Sequence, residues 1–490
     1  MMKEGPIKRT ARWLLPTERP RIALLLLALG VLVMIVARLF SWPGFATHDT
    51  VFITQEALRG EYTSYHPVLN ALLIRWLAVP FESFSIYTTL QILFCATLYL
   101  RSATLFARMV SRPAWIVLGV ALWAAMPSTY LYLGMIWKDV LCAYCLLFLA
   151  TLVLQSRQTG VLAGRADAVL LGLSLFLIVA TRHGMAINFL LLPLAIGVRQ
   201  LWAARPYRAA FVAAVVGWLL MSVVTASPLV KNDVAHLSKL KISAVSGPFL
   251  GMVANRSGYT SNDPGQDQAL AARVFGPDYA EKYRPDYLMN EVVLTDPQEL
   301  DEAYGLILRR TARLCLLNVS QCGSDRLQMM LATLQPSTAF GGMKFYDLAI
   351  MENCPTVFGM DPDKCDVLER FERGERPGML VEFQRKFVSR LVDTRGTVQN
   401  VFVWNLLPAF VLLLALLVFI APGRPLWIVS LFILMQMVLP MATSMANDFR
   451  YYYFLAPLST LLAVFVLGRA VHGRSFWRDR PTQSSEASHV

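Results

Sequence analysis

The chain has 490 residues, 56% hydrophobic and only 16% charged, which excludes an ordinary soluble globular protein and points to a polytopic membrane protein. Its net charge of +12 would suit a nucleic-acid partner, but the Lys and Arg residues gather beside apolar runs, as charge at a cytoplasmic membrane edge does. No nucleic acid is expected as a partner.

Residues 1–21 form a tail with Lys3, Lys8, Arg9, Arg12, Arg19 and Arg21, expected to stay in the cytoplasm. The first apolar run, 22–40, has no small-residue cleavage site and many similar runs follow it, so it reads as a retained helix rather than a signal peptide. A loop over 41–66 comes next. It contains Asp49, the stretch VFITQEALRG and the pair His66-Pro67. The VFITQEALRG stretch reads as a short amphipathic helix lying on the membrane. Asp49 and Glu56 are seven positions apart and so share one helix face. Asp49 could instead simply cap that helix, since Asp favours the N-cap.

The next run, 67–80, is short for a span and carries Arg75, which makes it a re-entrant or interfacial helix. Apolar runs then follow at 86–107, 114–133, 140–155, 168–180, 185–198, 209–225, 401–420, 426–441 and 451–467. The tail at 471–490 carries Arg474, Arg478 and Arg480, with Arg469 just before it, so both ends are expected in the cytoplasm and the crossings are even in number. Ten crossings place the basic connections at 108–112, 157–165, 199–208 and Arg424 on the cytoplasmic side. The fold class expected is an all-α integral membrane bundle of about ten transmembrane helices plus the short helix. The bundle divides into a module at 22–227 and C-terminal helices at 401–470.

Residues 228–400 differ in composition, holding most of the acidic residues together with Pro and Gly punctuation. They read as a mostly helical soluble domain outside the cytoplasm. Cys95, Cys142 and Cys145 fall in apolar runs, where free Cys acts as a small hydrophobe. Cys315, Cys322, Cys354 and Cys365 fall in the large loop, where the sequence-near pairing Cys315–Cys322 and Cys354–Cys365 is expected. Zinc is the weaker alternative, because neither pair has knuckle spacing and no His is near.

The ten-crossing count puts the remaining ionisable groups on one side. Trp137-Lys138-Asp139 begins one run, Arg182-His183 lies in a turn, and Asp448 and Arg450 lie in NDFRYYY before the last run. Lys138-Asp139 could be a self-neutralising pair at an interface, or a lysine that meets a phosphate with an aspartate orienting it. Lys138, Arg182 and Arg450 with His66 and His183 make a cationic cluster, which an anion such as a lipid phosphate would neutralise. The reaction class that fits is group transfer from a lipid-phosphate carrier, with a carboxylate taking a proton from an acceptor hydroxyl.

On these residues the chain resembles the GT-C glycosyltransferases, polytopic enzymes that use polyprenyl-phosphate sugars, among them the aminoarabinose and protein mannosyl transferases. It is closer to an uncharacterised bacterial branch with an Asp, a Gln, a Gly and a His-Pro in the first loop, here Asp49, Gln55, Gly60 and His66-Pro67. The later Lys138-Asp139, Arg182-His183 and Arg450-Tyr451 match that branch as well. The likeness spans roughly the first 200 residues and the last 50.

The resemblance implies Asp49 as catalytic base, with Asp139 beside it in the catalytic set. Gln55, Glu56, His66, Lys138, Arg182, His183 and Arg450 are the expected substrate-binding residues, and the resemblance implies that His66 and Lys138 or Arg450 hold the carrier phosphate. The implied partners are a polyprenyl-phosphate sugar, a glycan, lipid or protein acceptor, and membrane lipids. The implied place is a bacterial cytoplasmic membrane, with the site on the extracytoplasmic side. Asp49 stands between His48 and Thr50 where many of these enzymes have adjacent acids, which leaves a metal cofactor open. A transporter or flippase for a lipid-linked or anionic substrate is the rival reading; it would place polar sites near the bilayer midplane.

Overall fold

Apolar residues without a helix breaker carry the chain from Pro20 to Phe40 as one helix, α1, with Leu24, Leu25, Leu32, Ile35 and Leu39 on its exposed side. Its 21 residues span about 31 Å, the thickness of a bilayer's hydrocarbon core. The computed structural model describes residues 20–63, 66–162, 164–182, 184–231, 234–254, 258–283, 292–334, 346–347, 371, 378–379, 382–383, 386, 405–443 and 452–471.

After α1 come the short strand β1 (Phe45–Ala46), helix α2 (His48–Arg59), strand β2 (Tyr62–Thr63) and helix α3 (Val68–Leu77), which ends in a 3-10 turn at Val79–Phe81. The ten residues of α3 reach about 15 Å, too short to cross, as the expectation for 67–80 requires. Arg75 inside it donates to the carbonyl of Ala57 at 3.1 Å, near the end of α2. That end is capped by Gly60 in the left-handed region (φ 68), against which the Arg75 guanidinium packs.

The bundle continues through α4 (Ser85–Arg108), α5 (Ala114–Ala125), α6 (Pro127–Leu133), α7 (Lys138–Thr159), α8 (Arg165–Thr181), α9 (Asn188–Ile196), α10 (Val198–Ala203) and α11 (Arg205–Ala226). Helix α7 is apolar all round and 94% of its most apolar window is buried, so it is the axis of the bundle. Helix α11 is equally apolar but only 11% buried, which puts it on the outside. Three further helices, α17 (Leu407–Phe419), α18 (Pro425–Thr443) and α19 (Leu455–Val471), complete the bundle in chain order after the large loop.

The expected ten spans are corrected here. Among the described residues four helices, α1, α4, α7 and α11, are long and apolar enough to cross a membrane, and five if α5 and α6 count as one span bent by 67°. Among the described residues the apolar helical stretches of the other expected runs have 17 residues or fewer. Pro127 starts a new helix after α5, and Gly184 and Gly197, both at positive φ, confine the run 185–198 to a 3-10 turn and the nine residues of α9.

The region expected as a helical soluble domain contains strand β3 (Val230–Lys231) and helices α12 (Val234–Ala254), α13 (Pro264–Phe275), α14 (Tyr279–Lys282), α15 (Pro297–Leu317) and α16 (Val319–Leu334). They enclose a core of their own, including Phe249, Leu250, Val274, Leu300, Ile307 and Leu314. Asp296 caps α15 by accepting from the amides of Gln298 and Glu299. Cys315 and Cys322 form a disulfide that ties the end of α15 to α16, as their spacing led us to expect. Cys354 and Cys365 lie outside the described residues.

This unit is not a detached module. Strand β2 pairs in parallel with β3, and β1 pairs antiparallel with β4 (Tyr346–Asp347). The amide of Leu406 donates to the carbonyl of Leu334, joining the end of α16 to the start of α17. Phe371 stacks on Phe84 at 4.7 Å. Both strands of the 41–66 loop are therefore paired with the large loop.

Candidate functional site

Asp49 is held by a chain of backbone and hydroxyl bonds that begins at a sequence-distant segment. Phe45 donates its amide to Gly134 and accepts from the amide of Ile136, both at 2.9 Å. Gly134 has to be small, since the Ser41 side chain occupies the space a Cβ would take. Thr50 donates its hydroxyl to the Ile136 carbonyl at 3.0 Å, and Gln91 on α4 donates to the carbonyls of Leu133 and Met135 at 2.9 and 2.7 Å. The start of α2 and the residues before Lys138 are thus one stitched unit.

The alternative that Asp49 caps its helix is corrected by the geometry. Thr47 is the N-cap: its hydroxyl accepts from the Thr50 amide while the Thr50 side chain accepts from the Thr47 amide, a reciprocal capping box. Asp49 is the second residue of the helix, inside the cap. It lies 3.9 Å from the ammonium of Lys138, and the two side chains are 12% and 17% exposed.

Lys138 is the first residue of α7, and its ammonium also stands 3.1 Å from Nδ1 of His66. A lysine ammonium can only donate, so Nδ1 accepts and the proton of a neutral ring is on Nε2. His66 precedes Pro67, the N-cap of α3, and Asn70 on α3 donates to the Thr181 carbonyl at 3.1 Å. Thr181 ends α8, and the next residue, Arg182, pairs with Asp139 at 2.7 Å. Neither α3 nor α7 has a side-chain cap at its start. Two helix N-termini, each with uncapped amides and a positive dipole end, therefore meet Lys138, His66 and Arg182 at one end of the bundle.

Glu56 faces the same cluster from α2. Its carboxylate accepts a hydrogen bond from the Thr63 hydroxyl, and among the described residues its other oxygen, Oε2, is buried without a hydrogen-bond partner. Burial pushes Glu56 up from 4.5 to about 7, against the opposing effects of Thr63 and Lys138. Gln55 is half-buried and one residue round the helix, so it points off the shared Asp49–Glu56 face.

Asp49, Glu56, His66, Lys138, Asp139 and Arg182 are thus brought together. Asp139 differs from its companions: it is 3% exposed and already engaged by Arg182, which suits an orienting group better than a reacting one. His183 and Arg450 lie outside the described residues. Tyr453 stacks on Tyr132 at 3.9 Å, and the Tyr132 ring is 6.1 Å from that of Trp137, the residue before Lys138.

Several contributors escaped the sequence reading. Thr63 carried no signal beyond its polarity, and the Thr47–Thr50 box was overlooked although Thr is a favoured cap. Arg101, inside the apolar run 86–107, forms a bidentate pair with Asp167 at 2.6 Å for both bonds, at the opposite ends of α4 and α8 from the site. One buried cation and one buried acid in neighbouring apolar runs were a usable signal for that pair.

Comparison with family models, with curated proteins and with solved structures gives no match.

Proposed function

We propose that the protein is a membrane glycosyltransferase that moves a sugar from a polyprenyl-phosphate donor to a glycan, lipid or protein acceptor. The observation that carries this reading is Lys138, placed at the uncapped start of α7 between the Asp49 carboxylate and His66, with Arg182 close behind. An anion such as the donor phosphate gains from the ammonium, the guanidinium and the two helix dipoles together. A carboxylate on the same helix face is within reach of an acceptor hydroxyl. By the GT-C resemblance, that base is Asp49.

In this reading the long apolar helices α1, α4, α7 and α11 hold the chain in the membrane. The site and the large loop then face outward from a bacterial cytoplasmic membrane, where they serve polysaccharide or cell-envelope synthesis. The lipid-linked donor is a substrate, and metal dependence is not part of the proposal. The Arg182–Asp139 and Lys138–Asp49 ion pairs both lie at the start of α7. That placement favours chemistry at the membrane edge over a transporter or flippase, whose sites gather at the midplane.

The test is mass spectrometry of surface glycans and lipid-linked sugars in a deletion strain, complemented with wild type or Asp49→Asn. Loss of one sugar that wild type restores, with its polyprenyl-phosphate donor accumulating, is the expected result. An unchanged profile under expressing conditions contradicts the reading.

A further inference from the structure

The two carboxylates that share one face of α2, both largely buried, stand in different company. Asp49 has the Lys138 ammonium beside it, which favours its charged form. Glu56 is 8% exposed, its Thr63 bond occupies one oxygen, and its Oε2 is buried without a hydrogen-bond partner among the described residues. A carboxylate with a committed oxygen and an uncommitted one has a fixed direction in which to take a proton. We infer that Glu56, rather than Asp49, is the proton-accepting residue of the transfer, and that Asp49 is kept ionised to offset positive charge on the sugar.

This inference rests on the glycosyltransferase reading. Oε2 of Glu56 takes the proton of the acceptor hydroxyl. The oxygen so released forms a bond to the anomeric carbon. The bond from that carbon to the donor phosphate oxygen breaks, and its electron pair leaves on the phosphate beside Lys138. The transition state has oxocarbenium character, and the Asp49 carboxylate answers it. Burial supports the assignment, since it brings Glu56 up to about 7, where a base works best near neutral pH.

Among the described residues, Lys138 on α7 is the charged group that acts on Glu56, while Arg75 on α3 is bonded to the carbonyl of the next residue, Ala57. Thr63, the residue that orients Glu56, belongs to the strand paired with Val230–Lys231. The large loop therefore sets the direction of the proton-accepting oxygen.

Two readouts on the full chain in nanodiscs test the inference. The first is infrared titration of protonated carboxyl groups from pH 5 to 9, without substrate, for wild type, Glu56→Gln and Asp49→Asn. A band that titrates near neutrality in wild type and Asp49→Asn and is missing in Glu56→Gln is expected. The second is the pH profile of transfer, using the sugar and acceptor that a deletion strain identifies. Glu56→Gln should lower the rate by about 10²- to 10⁴-fold and remove the limb near pH 7. Glu56→Asp should restore part of the rate with the limb displaced. A limb that survives in Glu56→Gln and disappears in Asp49→Asn overturns the inference, as does a wild type with no carboxyl titrating near neutrality. If the deletion strain loses no sugar, the transferase reading and the base role fall together, and a titrating Glu56 band then shows that the fault lies with the reaction.

Discussion

Replacing Glu56 by Gln tests the electrostatics of the site before any substrate is known. Burial raises the group from 4.5 to about 7, so the folded state holds its proton more tightly than the unfolded chain does. The stability this group contributes is then full below about pH 4.5, is lost as pH rises towards about 7, and levels off above that. The span of about 2.5 units corresponds to about 3 kcal/mol at 1.36 kcal/mol per unit. Gln keeps the shape and cannot ionise, so the variant lacks that dependence. Amide hydrogen exchange over α2 reads the local opening energy, and taking the ratio of wild type to variant at each pH cancels the intrinsic rate. From pH 5 to pH 8 the wild-type protection should fall relative to Glu56→Gln by up to about a hundredfold. A ratio that stays constant, or protection that rises with pH, refutes the reasoning.

Arg101→Ala leaves the fully buried Asp167 without its bidentate partner and should cost about 3–5 kcal/mol in thermal or denaturant unfolding. Arg101→Leu combined with Asp167→Leu should recover most of it, and a single variant within 1 kcal/mol of wild type would refute a structural role for the pair. Cys315→Ser opens the crosslink between α15 and α16 and should cost about 2 kcal/mol in proteolytic or thermal stability of that region, with unchanged stability as the contrary result. Asp49→Asn should insert and fold normally yet lose sugar transfer, because it removes the anion beside Lys138; full retained transfer would take Asp49 out of the chemistry.

Much of the site was legible because its residues are polar exceptions in an apolar chain. Asp49, His66, Lys138, Asp139 and Arg182 each stand at the edge of an apolar run, and the fold gathers those edges at one end. The seven-residue spacing of Asp49 and Glu56 fixed their common face. The Cys315–Cys322 pairing followed from proximity in sequence. What could not be read depends on contacts between distant segments: Thr50 on the Ile136 carbonyl, Gln91 on Leu133 and Met135, and the pairing of β2 with β3. Hydrogen bonds of that kind leave no periodic trace. The span count failed for a different reason. Apolar runs were equated with crossings, whereas Pro127 breaks one run into two helices and Gly184 and Gly197 confine another to a 3-10 turn and nine helical residues.

The central claim is that the cluster around Lys138 holds a lipid phosphate. Native mass spectrometry of the full chain in nanodiscs, with undecaprenyl phosphate added as the probe, tests it most directly. Wild type should retain one lipid phosphate, Lys138→Ala should retain at least tenfold less, and Lys138→Arg should recover part of the loss. Lys282→Ala, at an exposed surface pair far from the chemistry, should match wild type. Equal retention by wild type and Lys138→Ala would contradict the claim.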